Sequence, residues 1–270
     1  MTDHSAGPAV TDRRVLTGSA YNTDRDLAAR QSLYAWQAPR YDLPGIVADR
    51  VHHVRGTVVD VGCGNGTFIR RLREVRPDLR LLGFDISAGI LGPVPRPVAV
   101  ADAVRLPLRA NSVGGVLALH MLYHVHDIQA AIRELARVMT DDGTVIVSTN
   151  SARDKAELDE LWRQAAGRSL GVERGPARLS LSSRFPVERA HELLGAVFSR
   201  IELLELPGII TVHKPDPVIA HMESYRAWAD QREVPFQETI GHTRAILSAH
   251  LDRHGSFDIT SLGGLLICRP

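Results

Sequence analysis

Apolar positions along this chain change period several times, and each change marks an element. Over residues 24–36, Leu27, Ala28, Leu33 and Tyr34 recur at helical spacing. Pro39 and Pro44 close that segment before a second helix at about 45–53. Thr57-Val58-Val59-Asp60-Val61 is then a short apolar, β-branched run halted by Gly62. A run without alternation predicts a strand buried on both faces, as in a parallel sheet. A helix at 68–76, stopped by Pro77, leads to a strand at 80–84 that ends at Asp85. A third strand follows at 98–101 and a fourth at 114–119. Asp127 is placed to cap a helix at 128–139, where Ile128, Ile132, Leu135 and Met139 share one face. Asp142-Gly143 turns the chain into a fifth strand at 144–149. Strands alternating with helices in this way predict right-handed βαβ units and a mostly parallel α/β sheet.

The second half is less regular. A helix is expected at 155–165, then a loop rich in Gly, Ser and Arg, a helix at 187–198 and a sixth strand at 201–206. The chain closes on a seventh strand at 264–268. About fifty residues separate those two strands, far more than a hairpin needs, and they hold helices at 216–230 and 238–253. Residues 1–50 are expected to form an N-terminal helical arm, able to act as a lid, with fraying over part of 1–20. The main domain is expected over 51–270, with its core at 57–150 and substrate-side insertions at 151–186 and 207–260.

Composition narrows the class without choosing a chemistry. The 270 residues are 44% hydrophobic and 23% charged, as in an ordinary globule, so disorder and coiled coil are disfavoured. A net charge of +1 with no basic run argues against a nucleic-acid partner, which needs a cationic stripe. The two cysteines have no zinc spacing and make no disulfide framework. No apolar leader and no membrane-length apolar stretch is found, so a cytoplasmic location is expected.

Chemistry concentrates at Val61-Gly62-Cys63-Gly64-Asn65-Gly66, a glycine-rich turn between a buried strand and a helix. Glycine serves where backbone must take positive φ, or where a ligand must approach without meeting a Cβ. The helix beyond supplies backbone N–H groups and a partial positive charge. Such a turn can also be a tight connection that binds nothing. Thr67 breaks the G-x-G-x-x-G dinucleotide fingerprint and lowers the nicotinamide and flavin readings. Asp85 ends the next strand about 20 residues later, where a carboxylate can take both hydroxyls of a ribose. Asp102, in Ala101-Asp102-Ala103, follows the third strand, where it can accept from an adenine amino group. Alone, Asp85 could be a helix cap and Asp102 a solvated turn residue. Three successive strand ends offering suitable groups point instead to a nucleoside.

These segments resemble the class I S-adenosylmethionine (SAM) dependent methyltransferases, in particular the group that includes ubiquinone and menaquinone biosynthesis methyltransferases. The matching stretches are VVDVGCGNG (58–66), GFDIS (83–87), ADAVRLPL (101–108), VLALHMLYHVHD (116–127) and ELARVMTDDGTVIVST (134–149). The resemblance implies a Rossmann-like, doubly wound, seven-stranded sheet with helices on both faces and helical lid or insertion segments. It implies SAM as cofactor, with Gly62 and Gly64 against the methionine portion and Asp85 and Ile86 at the ribose. Asp102 and Ala103 would lie at the adenine, Leu119 and His120 beside the sulfonium, and Tyr21 over the methionine end. Asp141-Asp142-Gly143 stands where the family has Pro-Gly-Gly, and the last connection is longer than the family's hairpin.

The reaction so implied is methyl transfer to an O, N or C nucleophile of a small molecule, a specialised metabolite in the reading preferred here. The alternatives are a SAM-fold protein catalysing another reaction, such as a cyclisation, and a non-catalytic SAM-binding module. In His120-Met121-Leu122-Tyr123-His124-Val125-His126-Asp127, His124 is the candidate general base, its intrinsic pKa lying near neutrality. It reads equally as a packing histidine. A metal site at His120, His124 and His126 is disfavoured for want of a carboxylate or cysteine partner. Tyr34, Asn150 and Tyr225 are the candidate substrate contacts, although such residues are often plain core or turn positions.

Overall fold

The computed structural model describes residues 9–231 and 234–270. Its strands are β1 (Gln37–Ala38), β2 (Thr57–Val61), β3 (Arg80–Asp85), β4 (Val98–Val100), β5 (Val113–Leu119), β6 (Met139–Asn150), β7 (Arg200–Val212) and β8 (Phe257–Arg269). Their order across the sheet is β1-β7-β8-β6-β5-β2-β3-β4. The sheet thus has eight strands where seven were expected. The addition is β1, two residues paired antiparallel to β7 through Gln37↔Ile210 and Ala38↔Ile209. Gln37 accounts for it: its buried amide accepts from Ser261 Oγ at 2.8 Å and donates to the Pro39 carbonyl at 3.1 Å.

Contacts within the chain define two interleaved units. One, here the sheet unit, comprises Tyr41–Ala152, Leu181–Leu206 and Gly263–Pro270. The other, the helical unit, comprises the described residues up to Arg40 with Arg153–Ser180 and Pro207–Leu262.

In the sheet unit β2, β3, β4, β5 and β6 are parallel to their neighbours, and β8 runs antiparallel to β6. From β2 the chain first builds outward through β3 and β4. It then returns to place β5 on the other side of β2, which makes the β2/β5 boundary the topological switch point. Val58, Val59, Val116, Leu117, Val145, Ile146 and Val147 are fully or almost fully buried, as expected of strands covered on both faces. The helix Ile128–Val138 buries Ala131, Ile132, Leu135 and Val138, and the Asp127 carboxylate accepts from Ala130 N at 2.8 Å. The turn expected at Asp142-Gly143 is absorbed into β6. Its pairing with β5 jumps from Val113↔Met139 to Gly115↔Thr144, an irregularity that takes up the intervening residues without ending the strand.

The helical unit packs the helices Ala156–Leu170 and Phe236–His254 about a core that includes Leu33, Trp162, Ile210, Met222 and Leu247. The helix expected over 216–230 is divided into Asp216–Glu223 and a 3₁₀ turn, Arg226–Gln231. Residues 9–20, within the segment expected to fray, form consecutive short helical turns. The first eight residues lie outside the described ones. Among the described residues no helix is long and apolar enough to cross a membrane.

Candidate functional site

The carboxyl ends of the parallel strands of the sheet unit gather most of the residues singled out in the sequence. β2 leads into the glycine turn, whose Gly62 N and Cys63 N both donate to the Phe84 carbonyl of β3, at 2.7 and 2.9 Å. Gly62 and Gly66 take φ of +70° and +76°, the left-handed region that side chains disfavour. A Cβ at Gly62 would also lie 2.7 Å from Met121 Cβ, and one at Gly66 2.6 Å from Val94 Cγ1. Glycine is therefore a steric necessity at these two positions of the turn.

Asp85 closes β3 and ties that turn down. Its Oδ2 accepts from Gly64 N and its Oδ1 from Ser87 N, each at 2.9 Å. Burial raises the Asp85 carboxyl above its ordinary range, and the backbone donors of Ser87, Gly64 and Ile86 oppose that rise. Ile86 is half-buried beside it. Asp85 O accepts from Ala101 N at 3.0 Å, which brings the turn after β4 alongside. There Ala103 is buried, and Asp102 Oδ1 accepts from Val104 N at 3.2 Å. The Asp102 carboxylate thus shapes its own turn.

At the end of β5, Leu119 is buried and His120 has φ of +54°, with its N–H donating to the Ser148 carbonyl of β6 at 3.0 Å. His124 ends the 3₁₀ turn Leu122–His124 half-buried, its ring edge-on to Tyr123 with centroids 4.6 Å apart. Asn150 is the last residue of β6, opposite Gly263 of β8. Among the described residues no group of three or more His, Cys, Asp or Glu side chains is arranged to hold a metal.

Tyr21, Tyr34 and Tyr225 belong to the helical unit and split into two environments. Tyr21 and Tyr225 meet around Arg30, whose guanidinium lies 5.1 Å from the Tyr21 ring centre, 5.7 Å from that of Tyr225 and 5.9 Å from that of Trp228. Tyr34 lies elsewhere, with its hydroxyl accepting from Lys155 Nζ at 2.9 Å.

Sequence reasoning passed over four residues that shape these places. Asp60, inside β2, is wholly buried, and burial with the nearby Asp85 charge pushes its carboxyl up to about 7. Its Oδ2 has no hydrogen-bond partner among the described residues. An acid inside an otherwise apolar strand was the available signal. Arg184 donates to the carbonyls of Tyr123, Val125 and His126 and so fixes the histidine segment. Lys155 pairs with Asp154 at 2.6 Å, and Arg178 with Asp159 at 2.9 Å, both inside the helical unit. Burial alone would pull the Lys155 ammonium down, but Tyr34 and Asp154 outweigh it and hold it above its ordinary value.

Comparison with known proteins agrees with this geometry. A family model described as "Methyltransferase domain" matches residues 59–147, from β2 to β6. A malonyl-[acyl-carrier protein] O-methyltransferase of Hahella chejuensis is 28% identical over 68% of this chain and 74% of its own length. The O-methyltransferase SfmM3 of Streptomyces lavendulae is 32% identical over 41% of this chain and 36% of its own. Among solved structures, a Haemonchus contortus phospholethanolamine N-methyltransferase 2 superposes with a TM-score of 0.56 at 15% identity. That match covers 96% of this chain and 60% of the other, and it speaks for the fold. Over residues 59–147 the chain carries a methyltransferase domain, and it is similar to SAM-dependent methyltransferases. SAM is accordingly its cofactor, and a bare glycine turn anchored on a carboxylate at the switch point suits a nucleoside-bearing ligand.

Proposed function

We propose that this chain methylates an oxygen, nitrogen or carbon nucleophile of a small molecule, with the strand ends of the sheet unit as its SAM site. The bond from Gly64 N to Asp85 Oδ2 carries the reading, because it couples the glycine turn to the carboxylate expected at the ribose. Gly62 and Gly64 would hold the methionine portion, Asp85 and Ile86 the ribose, Asp102 and Ala103 the adenine, and Leu119 and His120 the neighbourhood of the sulfonium. When bound, SAM supplies a methyl group already activated by its positive sulfur. The work left to the chain's own residues is positioning and exclusion of water, which can lower a barrier by about 7–11 kcal/mol.

An oxygen acceptor is the preferred form of this reading, since two relatives are named as O-methyltransferases. A hydroxyl must lose a proton as it is methylated. His124, on the turn that Arg184 holds in place, is the candidate base and would add about 10²–10⁴-fold.

Calorimetry with S-adenosylhomocysteine tests the cofactor site. The wild-type chain should bind it, and Asp85→Ala and Asp85→Asn should each weaken binding at least ~10-fold, the loss of about 1.4 kcal/mol or more. Release of S-adenosylhomocysteine from SAM with a hydroxylated acceptor then separates methyl transfer from cyclisation and from binding alone. Absence of binding by the wild-type chain, or affinity untouched in both variants, overturns the site.

A further inference from the structure

One short segment of the sheet unit grips both loops that follow β5 and β6. Its 3₁₀ turn, Leu181–Arg184, leads directly into the helix Val187–Gly195, with Phe185 and Pro186 buried between them. At the β5 end, the carbonyls of Met121 and Leu122 accept from His124 N at 2.9 Å and Val125 N at 3.1 Å. The Asp127 carbonyl accepts from Ala131 N and belongs to the next helix. Arg184 serves the stretch between. Its Nη1 donates to the carbonyls of Tyr123 and Val125 at 3.1 and 2.5 Å, and its Nη2 to that of His126 at 2.9 Å. Carbonyls withdrawn from water need donors, and here one planar guanidinium supplies three.

The same segment holds the β6 end. The Phe185 carbonyl accepts from Thr149 Oγ1 at 2.6 Å, and the Glu188 carboxylate accepts from Ser151 Oγ and, at 3.0 Å, from Ala152 N. Arg184 thus holds residues on both sides of His124, and Glu188 holds the two residues after Asn150. Among the described residues no carboxylate pairs with Arg184, and burial pulls its guanidinium below the ordinary value. The charge is directed at backbone carbonyls instead. A lysine in its place would offer a compact charge on a flexible stem, without the fork that spans three acceptors.

We propose that residues 181–188 form a clasp fixing the acceptor side of the methyl-transfer site, with Arg184 as the positioning residue for His124 and Glu188 its counterpart at Asn150. This role rests on the methyl-transfer reading, but no acceptor is needed to test it. Hydrogen–deuterium exchange of the full chain is followed in wild type, Arg184→Gln, Arg184→Lys and Glu188→Ala, with circular dichroism to verify folding. Both Arg184 variants should speed exchange at the amides of His124 and Val125 at least ~10-fold. Through the clasp they should also speed it at Ala152, by at least ~3-fold, while Leu135 and Val138 of the next helix stay unmoved. Glu188→Ala should reverse the order, loosening Ala152 more than His124. The His124 ring signal, identified in the imidazole NMR spectrum by its loss in His124→Gln, should shift in both Arg184 variants. It should hold its place in Asp127→Ala, which weakens the neighbouring helix and leaves Arg184 intact. S-adenosylhomocysteine affinity should stay within about threefold of wild type in all three clasp variants. Loosening confined to the mutated end, an equal rise at Leu135 and Val138, full protection in Arg184→Lys, or an unmoved His124 signal each overturns the clasp. A larger loss of S-adenosylhomocysteine affinity would place Arg184 at the cofactor and overturn its role on the acceptor side. A wild-type chain that binds no S-adenosylhomocysteine fails the methyltransferase site itself, a result read separately from the exchange.

Discussion

The two units bury charge of opposite sign. The sheet unit places the carboxyls of Asp60 and Asp85 among apolar strands, with the backbone N–H groups of Gly64 and Ser87 donating to Asp85. The helical unit buries Lys155, Arg178 and Arg30, and sets His221 among them. Burial and those same cations hold that imidazole well below its ordinary value, hence neutral. A buried charge costs several kcal/mol unless a partner meets it. The two units meet theirs differently, the helical unit with Asp154 and Asp159 and the sheet unit with backbone N–H groups.

The largest expected effect breaks the cationic side of this contrast. Asp154 neutralises Lys155 at 2.6 Å and also accepts from Leu262 N at 2.8 Å. Asp154→Ala should cost about 3–5 kcal/mol in chemical denaturation, since it leaves an ammonium buried with only the Tyr34 hydroxyl. Asp154→Ala/Lys155→Met should recover much of that loss. A cost below ~1 kcal/mol would mean the pair behaves like an exposed one and the interior is not apolar.

Asp60 tests the acidic side through pH. Its carboxyl stands at about 7 in the folded chain against an ordinary 3.8, so the folded state binds the extra proton. Its contribution to stability is fully present below the unfolded value and is lost as pH rises through the folded one. Stability should therefore fall between about pH 4 and pH 7, by on the order of 2–4 kcal/mol from this group. Asp60→Asn should flatten that portion of the profile in thermal melts at pH 5 and pH 8. Identical wild-type and Asn slopes would show that Asp60 does not carry the proton.

The contrast also explains what the sequence made legible. Strands β2, β3 and β5 and the groups at their ends were visible because each is local: a β-branched run, then glycine or aspartate. Asp127 was legible as a cap for the same reason. Strand β1 was not, because two residues carry no period and its hold depends on Gln37 meeting Ser261, 224 positions away. The irregularity in β6 was hidden because Asp142-Gly143 has turn chemistry, and only the shifted pairing with β5 keeps it in the strand. The cation cluster around Tyr225 was invisible for a stronger reason. Tyr225 was chosen as one of several aromatics, but its neighbours Arg30 and Arg178 come from distant segments of an arginine-rich chain, where no single arginine stands out.

A smaller effect sharpens the steric side of the sheet unit. Gly62→Ala places a side chain in the left-handed region and 2.7 Å from Met121 Cβ. The conformational part alone should cost about 1–2 kcal/mol, with the clash adding to it. Adding Met121→Ala does not remove that Cβ, so only the contact with the longer Met121 atoms should be relieved. Thermal melts of the single and double variants separate the two parts, and S-adenosylhomocysteine affinity should fall in both.

The smallest effect concerns an acid that is exposed rather than buried. Asp127 accepts from Ala130 N at 2.8 Å at the start of Ile128–Val138, satisfying a backbone donor that the helix itself leaves open. Asp127→Ala should cost about 1 kcal/mol, and Asp127→Ser or Asp127→Asn should restore most of it, because each supplies an oxygen at the same place. This is the counterpart of Asp60→Asn: there the amide changes the pH profile by removing a titrating group from an apolar strand, whereas here it preserves an acceptor. Since Arg184 independently holds the carbonyls of Tyr123, Val125 and His126, loss of the cap should leave the His124 turn in place and the methyl-transfer rate close to wild type at temperatures well below the melt. A rate that falls with the cap would mean that the helix start, and not Arg184, positions that turn.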